Sequence, residues 1–282
     1  MLEQIDLKKA LSKEEYKWRM DALRLKMYSV SHAVYESHTP VVVVFEGWGA
    51  AGKGTTIAEL TAQIDPRGFR VYPINAPRGY EERFPWLYRF WLKIPARGEL
   101  AIFHSSWYRR VLLDRVNETV AGAQLEQAYR DIRDFERTLA DDGAILVKFW
   151  LEIDKKEQKR RIAKLADKKS TAWQVSEEEQ QQQEHHRRYV RAVEEMLGRT
   201  EAEYAPWTIV AATDRNWTNV RVFETIIAQL EPRVASSQVL LPPEIEEQLH
   251  TIERADGVTL TSAIAKSTPP ANPREEADKT NA

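Results

Sequence analysis

Between Val41 and Thr56 the chain reads VVVVFEGWGAAGKGTT. Gly47 to Lys53 fits the spacing G-x-x-x-x-G-K. Glycines so placed let the backbone turn until several N–H groups face one anion, and a helix starting there adds its positive end. A lysine closing the turn reaches the outer phosphates. The expected phosphate cradle is Gly47, Ala50, Ala51, Gly52, Lys53, Gly54 and Thr55. So short a pattern recurs by chance, and the bland alternative is a structural glycine turn with an incidental lysine. The apolar run before it and the helix-prone run after it favour the cradle. Metal is a separate matter. In most such loops the residue after the lysine is serine or threonine, whose hydroxyl sits on Mg²⁺. Here it is Gly54, and Thr55 lies roughly 100° further round the helix.

Composition narrows the remaining chemistry. The chain has 282 residues, enough for one medium α/β domain with extensions or for two small domains. With no cysteine, disulfides, thiolate metal sites and cysteine nucleophiles are excluded. The six histidines are scattered and form no H-E-x-x-H. A formal net charge of −2 predicts no general affinity for nucleic acid or anionic membrane. The opening MLEQIDLKKALSKEEYKWRM lacks the apolar core of a signal peptide. No apolar run approaches the length of a membrane span. The expected location is the cytoplasm.

The elements that must position the loop follow from pattern. Val41–Phe45, bounded by Pro40 and Gly47, reads as a strand buried on both faces. Further strands are expected at 69–74, in LAIFHSSW ending at His104, at 144–153 and at 207–212. Helices are expected over 55–64, 109–140 with a break at Gly122, 155–168, 176–200 and 216–230. Strands alternating with helices give a parallel α/β sheet of about five strands with right-handed crossovers. Residues 1–36 read as a helical extension packed outside the main domain, 37–232 as that domain, and 233–282 as a C-terminal extension. PPEIEEQLHTIERA is helix-prone, and disorder is expected from about 266.

Several blocks together resemble the polyphosphate kinase 2 family. GWGAAGKG is similar to that family's G-x-D-A-A-G-K-G, where glycine follows the lysine. IDPRGFRVYPINAP, WLYRFWLKIPARGELAIFHSSWYRRVLLDRV, KFWLEIDKKEQKRRI and APWTIVAATD match further blocks in order, from about Leu7 to Leu230. The sequence resembles most the half that is active in fused, AMP-using members. The resemblance implies a P-loop kinase-like fold with a helical lid at about 155–200. It implies phosphoryl transfer between inorganic polyphosphate and a nucleoside mono- or diphosphate (AMP, ADP or guanine counterparts), with Mg²⁺ or Mn²⁺ as cofactor, and a homo-oligomer. Lys53 and Arg110 fall at positions that neutralise the transferring group. Arg115 is kept and joins the expected phosphate site.

The departures fall where metal would bind. The family's loop aspartate is Gly49, its third-strand aspartate is His104, the arginine after that is Ser105, and the basic residue beside Trp173 is Gln174. Glycine offers no ligand, and histidine offers a nitrogen less suited to Mg²⁺. A positive His104 would instead bind phosphate. Glu46, Glu81, Glu82 and Asp114 are candidate substitutes, with ordinary structural roles as the alternative. Trp86, Tyr88, Phe90 and Trp91 read as packing, with base stacking or a subunit contact as the alternative. The run QQQQEHHRR reads as a solvated helix face. The competing functional reading is a catalytically impaired relative that binds polyphosphate or nucleotide as a regulatory or assembly protein.

Overall fold

The computed structural model describes residues 2–175, 177–234 and 241–260. Five parallel strands form one sheet in the order β2-β3-β1-β4-β5, namely β1 (Val41–Gly47), β2 (Phe69–Pro73), β3 (Leu100–His104), β4 (Ile145–Glu152) and β5 (Trp207–Ala211). The central strand β1 is buried at every position, which its unbroken apolar sequence requires. It lies between β3 and β4, so the chain leaves it toward one side of the sheet and later returns to the other. Such a reversal opens a crevice at the carboxyl ends of the strands, where ligands of parallel α/β sheets bind.

The helices are α1 (Lys13–Glu36), α2 (Lys53–Thr61), α3 (Tyr88–Trp91), α4 (Leu113–Val116), α5 (Gly122–Asp141), α6 (Lys155–Ala166), α7 (Glu177–Glu184), α8 (His186–Thr200), α9 (Arg215–Leu230) and α10 (Pro243–Asp256). Side-chain caps fix several starts: Ser12 accepts from the Glu15 N–H, Asp154 from Glu157 and Asp214 from Trp217. Gly122 opens α5 rather than interrupting a longer helix, because the chain turns there through a positive φ of 53°.

One expectation is corrected. The N-terminal segment forms a long helix that is part of the core, not an outlying extension. Met20, Leu23, Met27 and Val34 are fully buried, and α1 packs on α9 and α10. Arg19 and Lys26 reinforce the contact through Glu224, Asp256 and Glu231. The helix expected in the C-terminal extension is α10; the segment expected to be disordered from about 266 lies outside the described residues. No helix among the described residues is long and apolar enough to cross a membrane.

Candidate phosphate site

The glycine-rich turn sits at the carboxyl end of β1. Gly47 has a φ of +142°, and a Cβ there would stand 2.5 Å from the Leu151 carbonyl oxygen, so only glycine fits beside β4. Ala50 holds a left-handed φ of 59°, and Gly52 one of 104° at the N-cap of α2. A left-handed alanine is strained backbone of the kind found at ligand loops. Lys53, the first residue of α2, curls back over the turn. Its Nζ donates to the carbonyls of Gly47 (2.8 Å) and Trp48 (3.0 Å). An ammonium carries three donors, so these bonds aim the side chain and leave a further N–H for an incoming anion. Burial lowers the pKa of Lys53, while the charge of Glu46 works to raise it.

Thr55 does not face the cradle. Its hydroxyl donates to the Gly52 carbonyl at 2.8 Å. The floor of the site is polar and closed. Glu46 is buried and accepts from the Ser106 hydroxyl at 2.8 Å; burial pushes its carboxyl up to about 7, against the opposing pull of Ser106 and Lys53. His104 ends β3 beside the start of α2, and a Cβ on Gly54 would lie 3.8 Å from its Nε2. Burial, helped by the charge of Lys53, pushes His104 down to about 4, so the imidazole is neutral at physiological pH. That shift works against the positive form through which His104 would bind phosphate.

The helical segment over 155–200 folds onto the loop. Arg161 of α6 donates to the carbonyls of Ala50, Ala51, Ala212 and Thr213, tying the turn to the end of β5. Gln182 of α7 accepts from the Gly49 N–H at 2.7 Å. A Cβ on Gly49 would fall 2.2 Å from Cγ of Glu179, so the glycine is what lets α7 approach so closely. His186 lies against the buried Trp48 ring at 4.9 Å. The glutamine-rich run has two faces: Gln182, Gln183 and His186 turn inward, to the loop, Gln158 and Trp48, while Glu184, His185, Arg187 and Arg188 keep the expected solvated face. The inward glutamines are polar because their partners are backbone amides and other amides.

Ser106, the partner of Glu46, also lines a cavity of about 370 Å³, together with Trp86, Arg89, Arg109, Arg110 and Asp114. Arg110 stands over the Trp86 ring at 5.8 Å, and Asp114 lies 3.6 Å from its guanidinium. Burial raises the pKa of Asp114. Arg115 is turned elsewhere: it donates to Glu195 at 2.6 Å and lies 3.5 Å from the Tyr129 hydroxyl. Among the aromatics, Phe90 packs edge-on against Trp107 and Trp91 against Phe135, while Tyr88 stacks on Phe84. Trp86 does both jobs, bonding Asp131 and facing the cavity. Arg89 and Arg109 were not singled out by sequence. Arg109 adjoins Arg110 on one short turn, Trp107–Arg110, and Arg89 reaches the same cavity from α3.

The residues do not fit a hard divalent cation of the kind the resemblance implies. Positions 49 and 104 carry no carboxylate. Glu81 is paired with Arg89 and Lys93, and Asp114 with two arginines. Glu46 is buried against Ser106, and Glu82 lies at the exposed mouth of the cavity. Among the described residues, no group of three or more His, Asp or Glu side chains is placed to hold a metal ion.

Comparison with known proteins agrees with this architecture. The model of the family "Polyphosphate kinase 2" matches residues 10–238. The chain is 38% identical over 236 residues to a polyphosphate:AMP phosphotransferase of Pseudomonas syringae pv. tomato, covering 83% of this chain and 47% of the relative. It is 31% identical over 237 residues to ADP-polyphosphate phosphotransferase 2 of Rhizobium meliloti, covering 84% and 78%. A crystal structure of a polyphosphate kinase 2 from Pseudomonas aeruginosa PA01 superposes with a TM-score of 0.79 at 38% identity, covering 82% of this chain and 50% of that one. The chain spans about half the length of the polyphosphate:AMP phosphotransferases it matches. The sheet and the glycine-rich loop both lie within the matched region, and the chain belongs to the polyphosphate kinase 2 family.

Proposed function

We propose that the protein transfers phosphoryl groups between inorganic polyphosphate and a nucleotide, with AMP or ADP as the nucleotide. The observation that carries the proposal is Lys53, aimed by two backbone carbonyls across a strained glycine turn at the head of α2. Relatives named for transfer between polyphosphate and AMP or ADP support the substrate pair.

In such a transfer the bond from a terminal phosphorus to its bridging oxygen breaks. A new bond forms from that phosphorus to a phosphate oxygen of the nucleotide. Protein catalysis here is positioning and charge stabilisation. The loop amides and the N-terminus of α2 hold the phosphates, and Lys53 and Arg110 offset the charge that spreads over the transferring group. The α6–α8 segment covers the loop and excludes water from it. Mg²⁺ or Mn²⁺ is the cofactor that the family resemblance implies. Because the side chains here do not fit it, no step is assigned to it.

That misfit favours a second reading, in which the chain binds polyphosphate or nucleotide without useful turnover. One assay separates the two. Purified protein is given long-chain polyphosphate with AMP, ADP, GMP or GDP, in Mg²⁺, in Mn²⁺ and in chelator, with Lys53→Ala alongside. Product that vanishes in the Lys53 variant supports the transferase. Retained polyphosphate binding with no product in any condition overturns it and leaves the binding protein. The same preparation gives the oligomeric state, for which a homo-oligomer is proposed.

A further inference from the structure

We propose that Arg109 is a phosphate-binding residue, seating an oxyanion in the cavity that it lines with Arg89 and Arg110, and that Glu178 of α7 stands in for that oxyanion when the lid is closed. The ligand class is a phosphate group, from the polyphosphate chain or from the nucleotide. The inference rests on the reading of the loop as a phosphate site.

The family pattern places an arginine at position 105, where this chain has Ser105. Arg109 occupies a position that the pattern leaves open. The 3-10 turn Trp107–Arg110 delivers it, with Arg110, to the wall of the cavity. Arg89 approaches from α3. All three guanidinium groups keep a buried Nε with no hydrogen-bond partner. A single buried donor left unbonded is costly and uncommon. Three residues that keep such a donor line one cavity, which fits a ligand with several acceptor oxygens.

The charges at this wall count the same way. Arg89 is balanced by Glu81 at 3.4 Å. Asp114 is shared between Arg109 at 3.7 Å and Arg110 at 3.6 Å, one carboxylate between two guanidinium groups at distances too long for good hydrogen bonds. The missing negative charge comes from the lid, where Glu178 accepts from Arg109 in a short contact. The Glu178 side chain is 45% exposed, so water and salt screen the pair. A multiply charged phosphate, which offers more charge and more acceptor oxygens, outcompetes such a carboxylate. The Arg109 charge also reaches the buried Glu46, which places it near the floor of the loop.

The bland account makes Arg109 a clamp for α7. The two accounts differ in the sign of one effect. If Glu178 is a stand-in anion, removing its charge tightens phosphate binding; if the pair is only a clamp, removing it loosens the site.

The test is calorimetric binding of inorganic tripolyphosphate and, separately, AMP to the wild-type protein and to Arg109→Gln, Arg109→Lys, Glu178→Gln and Lys53→Ala. Circular dichroism melting confirms that each variant is folded. Arg109→Gln is expected to weaken one ligand by about 10- to 100-fold, with a shallower salt dependence and partial recovery in Arg109→Lys. Glu178→Gln is expected to tighten the same ligand several-fold. Loss confined to tripolyphosphate assigns the oxyanion to the chain; loss confined to AMP assigns it to the nucleotide. Wild-type affinity in Arg109→Gln, with Lys53→Ala defective, overturns the inference alone. Weakening by Glu178→Gln also overturns it, in favour of the clamp. Failure of the wild-type protein to bind either ligand overturns the inference together with the phosphate-site reading.

Discussion

Two lysines, Lys53 and Lys148, show what separates a site from a core in this protein. Lys148 lies on β4 and is completely buried. Each donor of its ammonium is used: Glu136 at 2.9 Å, the Tyr108 hydroxyl at 3.0 Å and the Thr200 carbonyl at 2.8 Å. Glu136 is bonded in turn by Trp107 and Tyr108. The network joins β4 to α5, to the turn after β3 and to the end of α8. Among the described residues, Lys53 donates to two backbone carbonyls of its own loop, and the charges of Glu46, Glu179 and Glu178 act on it. A charge that is fully answered by the protein holds the fold. A charge aimed by its own loop's carbonyls is what the proposed phosphate site requires.

The largest expected effect comes from breaking the answered pair. Lys148→Met leaves Glu136 buried without its cation and should cost roughly 3–5 kcal/mol of stability, read from the denaturant midpoint. Lys53→Met should shift that midpoint by less than about 1 kcal/mol and abolish phosphate binding. Comparable destabilisation by the two variants would break the distinction.

The next test sharpens the contrast at the loop. Gly49→Asp restores a side chain of the type in the family pattern, but its Cβ would meet Glu179 at 2.2 Å. The expected outcome is displacement of α7, seen as faster hydrogen exchange and proteolysis across 177–184 with the protection of β4 unchanged. Unaltered exchange in α7 would mean that its contact with the loop is not tight.

Acid–base behaviour should separate two groups at the floor of the site. The folded Glu46 carboxyl keeps its proton to about pH 7, against an ordinary 4.5. Between those values the folded state binds more protons than the unfolded one, so this residue's contribution to stability falls as pH rises. His104 works the other way. With its pKa moved from 6.5 to about 4, it binds fewer protons when folded, and its contribution rises with pH across that range. Glu46→Gln should make the stability profile rise more steeply between about pH 4.5 and 7, and His104→Gln should flatten it between about 4 and 6.5. A profile unchanged by both would contradict the burial of these groups.

The smallest effect is expected at Thr55. Its hydroxyl serves only the Gly52 carbonyl, so Thr55→Val should change stability by about 0.5 kcal/mol or less and leave phosphate binding unchanged. A large loss of binding would return the hydroxyl to the cradle.

Much of this was legible in sequence. The valine run before Gly47, the glycine spacing and the helix-prone stretch after Lys53 each carry a local signal, and β1, the turn and α2 follow from it. Backbone periodicity likewise located the other strands and the α6–α8 segment. The QQQQEHHRR run was read correctly at its exposed Glu184, His185, Arg187 and Arg188 but not at Gln182 and Gln183, because polarity reports solvent only when no polar partner is nearby. Gln182 finds one in the Gly49 amide, from 133 residues away in sequence. Residues 1–36 were misplaced for a related reason. A charged helix reads as exposed until the acids that pair with it are known, and those of Arg19 and Lys26 stand on or just after α9 and α10.

The sequence by itself determined the alternation of strands and helices, the glycine-rich loop with its lysine, the absence of carboxylates at positions 49 and 104, and the family. Those are properties of short stretches, where residue type and spacing act through local backbone geometry. Only the tertiary structure decided that His104 is neutral, that Arg115 faces Glu195, that α7 covers Gly49 and that Arg89, Arg109 and Arg110 share one cavity. Protonation and pairing depend on burial and on charges brought from distant parts of the chain, and strand order sets which distant parts meet.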